Sequence, residues 1–93
     1  MYVTVRSYAG SSDLVDALIE NESEVKRLIT DIAGFRAYYL VRTDDGAMSI
    51  SVYDQASGGE ESSRAAAAWI GENLADLSVS PPQVTAGDAV INF

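Results

Sequence analysis

Without a histidine or a cysteine among its 93 residues, this sequence leaves its chemistry to arginine, tyrosine, serine, asparagine and one tryptophan. The usual ligands of zinc, iron–sulfur clusters and haem are missing, and no imidazole is at hand to activate Ser49 or Ser51 as a nucleophile. Arg6 and Arg42 each present a planar fork of donors suited to a carboxylate or phenolate. Tyr38, Tyr39 and Tyr53 carry phenols that donate a proton where they reach a ligand. Trp69 and Asn73 lie four residues apart, hence on one side of a helix, where they can wall a pocket and orient a substrate. Each candidate also has a plainer reading. A buried guanidinium needs a partner, and an inter-subunit salt bridge or a rim position supplies one. Strands favour aromatics whether or not they act on a ligand. Trp69 reads equally as core, packed against Val41 and Ile50, and Asn73 as a polar helix-end group.

The elements that must position these groups follow from periodicity. Residues 2–8, YVTVRSY, alternate, with Val3, Val5 and Ser7 on one side and Tyr2, Thr4, Arg6 and Tyr8 on the other, which predicts a half-buried strand. Ser11 or Ser12 is the expected N-cap of a helix. Its apolar stripe is Leu14, Leu18, Val25, Leu28, Ile29 and Ile32, with a kink or break at Asn21–Ser23 and a left-handed stop at Gly34. A hairpin follows, with Asp45-Gly46 as a two-residue turn that sets Val41 opposite Ile50. One hairpin face collects Ala37, Tyr39, Val41, Met48, Ile50 and Val52. The other collects Tyr38, Leu40, Arg42, Ser49, Ser51 and Tyr53. The loop QASGG holds a candidate capping box, Ser57 and Glu60. A second amphipathic helix carries Ala66, Trp69, Ile70, Leu74 and Leu77, ends near Leu77 and is broken by Pro81 and Pro82. A final strand is interrupted at Gly87-Asp88.

The order β-α-β-β-α-β over residues 1–93 predicts a single α+β domain of ferredoxin-like architecture, an antiparallel sheet with two helices on one face. On this reading Val3, Val5, Val41, Ile50 and Val52 meet the helices. Tyr2, Tyr8, Tyr38, Leu40 and Tyr53, with Arg6 and Arg42, then make an open face whose composition suits an interface. The formal charge of −8 argues against nucleic acid and anionic membranes, because six cationic side chains spread along the chain form no basic stripe. No signal-peptide pattern and no membrane-length apolar run is present, so a cytoplasmic location is expected. The acidic run ENESE reads as a solvated helix face, not a calcium loop. SGGEESS lacks the lysine of a phosphate-binding loop.

The stretches IAGFRAYYLVRTDDGAMSISVYD (residues 32–54) and EESSRAAAAWIGENL (residues 60–74), with this element order, resemble the dimeric α+β barrel superfamily, in its antibiotic-biosynthesis-monooxygenase-like branch. The resemblance implies a homodimer in which two sheets pack face to face through the open sheet face, burying Tyr38, Leu40, Arg42 and Tyr53. Some members are cofactor-free oxygenases of electron-rich aromatic substrates, with a pocket between sheet and helices lined by tryptophan, asparagine, tyrosine and arginine. Trp69, Asn73 and Tyr39 are the catalytic candidates on that pattern. Arg6, Arg42, Tyr38 and Tyr53 are the candidates for binding a small aromatic or anionic metabolite. Other members degrade haem, isomerise small metabolites or have no known activity, and the lack of histidine fits the histidine-ligated haem enzymes poorly. No metal, flavin or other cofactor is expected. The alternative is a non-catalytic dimeric structural or interaction domain.

Overall fold

A computed structural model describes the chain at every position except 11, and at position 12 the backbone only. Of the two expected N-caps, Ser12 is the first residue of α1 and Ser11 falls outside the described residues. The elements run β1 (Tyr2–Ala9), α1 (Ser12–Glu20), α2 (Glu22–Thr30), β2 (Phe35–Thr43), β3 (Gly46–Tyr53), α3 (Ala56–Asn73), a 3₁₀ turn (Ala75–Leu77) and β4 (Gln83–Asp88). The four strands form one antiparallel sheet in the order β2-β3-β1-β4, and the helices pack on one face of it. This is the expected ferredoxin-like α+β fold, with its first helix split in two.

The split falls at Asn21, where φ is −111°. Its side-chain amide donates back to Ala17 O at 2.8 Å, an alternative to the helical ladder that asparagine favours. Both halves bury the predicted stripe: Leu14, Leu18, Ile29 and Ile32 are buried, and Val25 and Leu28 pack against them. Gly34 adopts the left-handed backbone (φ 81°) four positions past α2, in the turn into β2, where its carbonyl accepts from Asp54 N at 2.9 Å.

Three expectations require correction. The hairpin turns on Asp44-Asp45, not Asp45-Gly46: Thr43 pairs with Gly46 and Val41 with Met48. The partner of each β2 residue therefore shifts by two, an even number, so both face sets survive. Gly46 is instead the first residue of β3, paired with Ala9, and a Cβ there would lie 1.9 Å from Tyr8 O. This close approach is why glycine begins the strand. Secondly, QASGG is not a loop. α3 begins at Ala56, with Gln55 as N-cap and no side-chain cap, so the Ser57–Glu60 capping box does not form.

The third correction concerns which sheet face meets the helices. Thr4, Arg6 and Tyr8 of β1, and Ser49, Ser51 and Tyr53 of β3, are buried beneath them, while Val3, Val5, Val41, Met48, Ile50 and Val52 lie on the open side. Complementary size explains this. The sheet-facing side of α3 opens with Gly58, Gly59 and Ser62, all buried. A Cβ at Gly58 would come within 2.8 Å of the Tyr53 ring, and one at Gly59 within 2.6 Å of Thr4 Oγ1. Small residues on the helix thus admit large ones on the sheet, and the β-branched face is left uncovered. Trp69 accordingly packs with Tyr8, Leu14, Val15, Leu18 and Ala47, not against Val41 and Ile50. Among the described residues no helix is long and apolar enough to cross a membrane.

Candidate ligand pocket

Arg6 occupies the middle of β1 and points into the layer between sheet and helices, only 2% exposed. Its partners are hydroxyls. Nη1 donates to Ser49 Oγ at 3.2 Å and Ser51 Oγ at 3.0 Å, both on the adjacent strand β3. Nε donates to Ser63 Oγ at 3.1 Å, and Nη2 donates to Ser62 Oγ, both from α3. Ser62 passes its own proton to Gly59 O at 2.8 Å. Among the described residues no carboxylate pairs with Arg6; the ion pairs present are Arg36 with Asp54 and Arg42 with Asp16. The nearest titratable neighbours are phenols. Burial pushes the Arg6 guanidinium below its ordinary value, with Tyr8, Tyr38 and Tyr53 pulling the other way. A guanidinium remains protonated even so, which makes this a buried positive charge bound by four serine hydroxyls.

The phenols are shifted by the same burial. Tyr8, Tyr38 and Tyr53 are all pushed up by desolvation, and the Arg6 charge opposes the rise in each. They are neutral hydrogen-bonding groups at neutral pH. Tyr53 is fully buried, donates to Ile29 O at 2.8 Å and stands edge-on to Phe35 with ring centroids 5.8 Å apart.

A cleft of about 560 Å³ opens between α1, α2 and β2, walled by Leu18, Val25, Ile29, Phe35, Tyr38 and Leu40, with Glu22, Lys26 and Arg42 among its polar lining. It shares Leu18, Val25, Ile29, Tyr38 and Leu40 with a small inner cavity of about 30 Å³ that Arg6, Tyr8, Ser49 and Trp69 close. The cleft and the inner cavity share these apolar walls, and Arg6 borders only the inner one.

Of the sequence candidates, Arg6, Tyr38 and Trp69 meet around this inner cavity. Tyr53 stands behind them, and Arg42 lines the outer cleft, its guanidinium bound to Asp16 at 2.9 Å. Arg6, Arg42, Tyr38 and Tyr53 lie on the helix side of the sheet, so they are not the open face assigned to them above. The catalytic candidates are not brought together. Trp69 donates its indole N–H to Glu24 Oε1 at 2.8 Å. Asn73 turns its amide back onto Trp69 O at 3.0 Å, and Tyr39 is 58% exposed on the open face. The glutamate–tryptophan bond also gives one residue of the acidic run a partner. Sequence reasoning missed Ser62, Ser63 and Tyr8. A signal for Ser62 was available: Ser62, Ala66, Trp69 and Ile70 continue one helical stripe backward from the tryptophan.

No protein-family model matches the sequence, and no curated protein matches it. Solved structures do. MhuD of Mycobacterium tuberculosis, described as a heme-degrader with two hemes in its active site, superposes with a TM-score of 0.63 at 10% identity, covering 100% of this chain and 99% of that one. ActVA-Orf6 of Streptomyces coelicolor, a monooxygenase in complex with nanaomycin D, gives 0.62 at 16% identity over 99% and 91% of the two chains. SnoaB of Streptomyces nogalater, a cofactor-independent oxygenase, gives 0.59 at 16% identity over 98% and 92%. At such identities the likeness is one of fold, and it extends over nearly the whole chain. The protein has the ferredoxin-like α+β fold that these solved structures share.

Proposed function

We propose that this protein is a monooxygenase-like binder of a small aromatic or anionic metabolite, held between sheet and helices, and that it acts without metal or flavin as a cofactor-free oxygenase. One observation carries the reading: an apolar cleft shares its walls with an inner cavity bordered by Arg6, whose buried charge meets hydroxyls and, among the described residues, no carboxylate. A ligand carboxylate, phenolate or enolate would supply the missing charge in a low-dielectric site, where the attraction is strong. Oxidation of an electron-rich phenol by dioxygen begins from its anion, which a fixed cation favours. Arg6 is the anion-stabilising residue, Tyr38 the donor beside it, and Trp69 the wall; Tyr53 braces the cavity. Asn73 and Tyr39 lie away from it, so a role for either needs a rearrangement or a second subunit.

We also propose a homodimer. The open sheet face carries Val3, Val5, Tyr39, Val41, Met48, Ile50 and Val52, an apolar surface that a twin sheet would cover. A cytoplasmic setting is part of the same reading. The test is a thermal-shift screen of phenols and aromatic acids, with oxygen uptake measured for every compound that stabilises the protein. Stabilisation by anionic aromatics that disappears in Arg6→Lys, with oxygen consumption, supports the whole reading. Binding without uptake leaves a binder. No binding, with a dimer in solution, favours the non-catalytic interaction domain, to which the apolar open face also points.

A further inference from the structure

The hydroxyls that accept from Arg6 differ in where their own protons can go. Ser62 spends its proton on Gly59 O. Ser63 takes the Nε–H and lines a different cleft, of about 350 Å³, on the β4 side of α3 beneath the connection through residues 79–82. Arg6, Tyr8, Ser63 and Ser80 supply the polar groups of this cleft, and Ile70, Val79, Pro82 and Val84 are among its walls. Its lining includes no acidic side chain among the described residues, although the chain carries a net charge of −8.

We propose that this cleft is a second binding site, for a small monocarboxylate with a short apolar body, held by the Ser63 hydroxyl and the Arg6 charge. A hydroxyl that accepts from a guanidinium is polarised to donate, and a carboxylate is the acceptor that both completes the bond and answers the buried cation. One charge is the number the site balances, because Arg6 is the one cationic side chain in its lining among the described residues. A space of this size suits a compact acid. The site shares Arg6 with the inner cavity of the other pocket, but Ser63, Gly71, Val79 and Val84 line only this cleft.

The test is an amide NMR titration of the isotope-labelled protein with benzoate and, as its uncharged counterpart, benzyl alcohol. Benzoate is expected to shift the amides of Ile70, Gly71, Val79 and Val84, with benzyl alcohol about tenfold weaker for want of the charge-assisted bond. Gly71 also lines the cleft, and a Cβ there meets nothing within 4 Å. Gly71→Leu therefore keeps the fold, gains helix propensity and should abolish the benzoate shifts by filling the space. Equal affinity for the alcohol, shifts unchanged in Gly71→Leu, or no shift at all would each overturn the proposal. Shifts confined to Val25, Ile29 and Phe35 would also overturn it, while supporting the other pocket.

Discussion

Arg6 concentrates the physics of this protein at the residue scale. Taking a guanidinium out of water costs several kcal/mol unless it is compensated, and here four serine hydroxyls compensate it. Arg6→Lys tests that arrangement, because lysine keeps the charge but offers three donors without the planar fork. At least one charge-assisted bond is lost, so the variant should be less stable by about 1.5–3 kcal/mol, read as a lower urea midpoint at unchanged slope. The neighbouring phenols make a second prediction. Their folded pKa values lie above the ordinary 10.0 because burial disfavours the phenolate. The folded state therefore binds these protons more tightly than the unfolded chain does. That contribution to stability is complete below pH 10 and is lost as pH rises from there through the folded values. In an alkaline titration followed by tyrosinate absorbance, Tyr8, Tyr38 and Tyr53 should ionise late, together with unfolding seen by circular dichroism. Early ionisation of all the tyrosines with the fold intact would contradict it.

At the scale of elements, the contact between α3 and the sheet rests on two glycines in the helix's first turn. Helix propensity alone says that Gly→Ala should stabilise by about 1 kcal/mol. At Gly58 the added methyl would meet the Tyr53 ring at 2.8 Å, and at Gly59 it would meet Thr4 Oγ1 at 2.6 Å. Overpacking costs about 1–3 kcal/mol, so Gly58→Ala and Gly59→Ala should lower the melting temperature. Gly71→Ala, with open space around it, should raise it. If all three variants stabilise, the register of α3 on the sheet is wrong. The break at Asn21 belongs to the same scale. It lets α1 and α2 bury their stripes in separate directions, and the cleft opens between them and β2.

At the scale of the whole molecule, the sheet has one face under helices and one without cover. The half-buried valines, with Met48 and Ile50, outnumber the polar groups there, and Tyr39 is exposed among them. A second copy that covers this face should give twice the monomer mass by analytical ultracentrifugation at micromolar concentration. Ile50→Lys would place an ammonium in the centre of that contact, at a cost of about 3 kcal/mol or more, which weakens the dimer over about a hundredfold. It should leave Arg6 and its serines untouched, because Ile50 points to the other side of β3. A monomeric wild type would remove the dimer from the reading.

The sequence by itself determined the order of the elements, the break at Asn21, the left-handed turn at Gly34 and the two alternating side-chain sets of the hairpin. These are local matters, governed by periods of 2 and 3.6 residues and by backbone preference. Which sheet face would be covered was decided only in three dimensions. Counting apolar residues favoured the valine face for the core, but the helices meet the face whose large tyrosines and arginine fit opposite Gly58, Gly59 and Ser62. The same contact decided the candidate site. Ser49, Ser51, Ser62 and Ser63 lie up to 14 positions apart in the chain and more than 40 from Arg6, so no local pattern could show that they would share its charge. Only the packing of α3 across β1 and β3 brings them together.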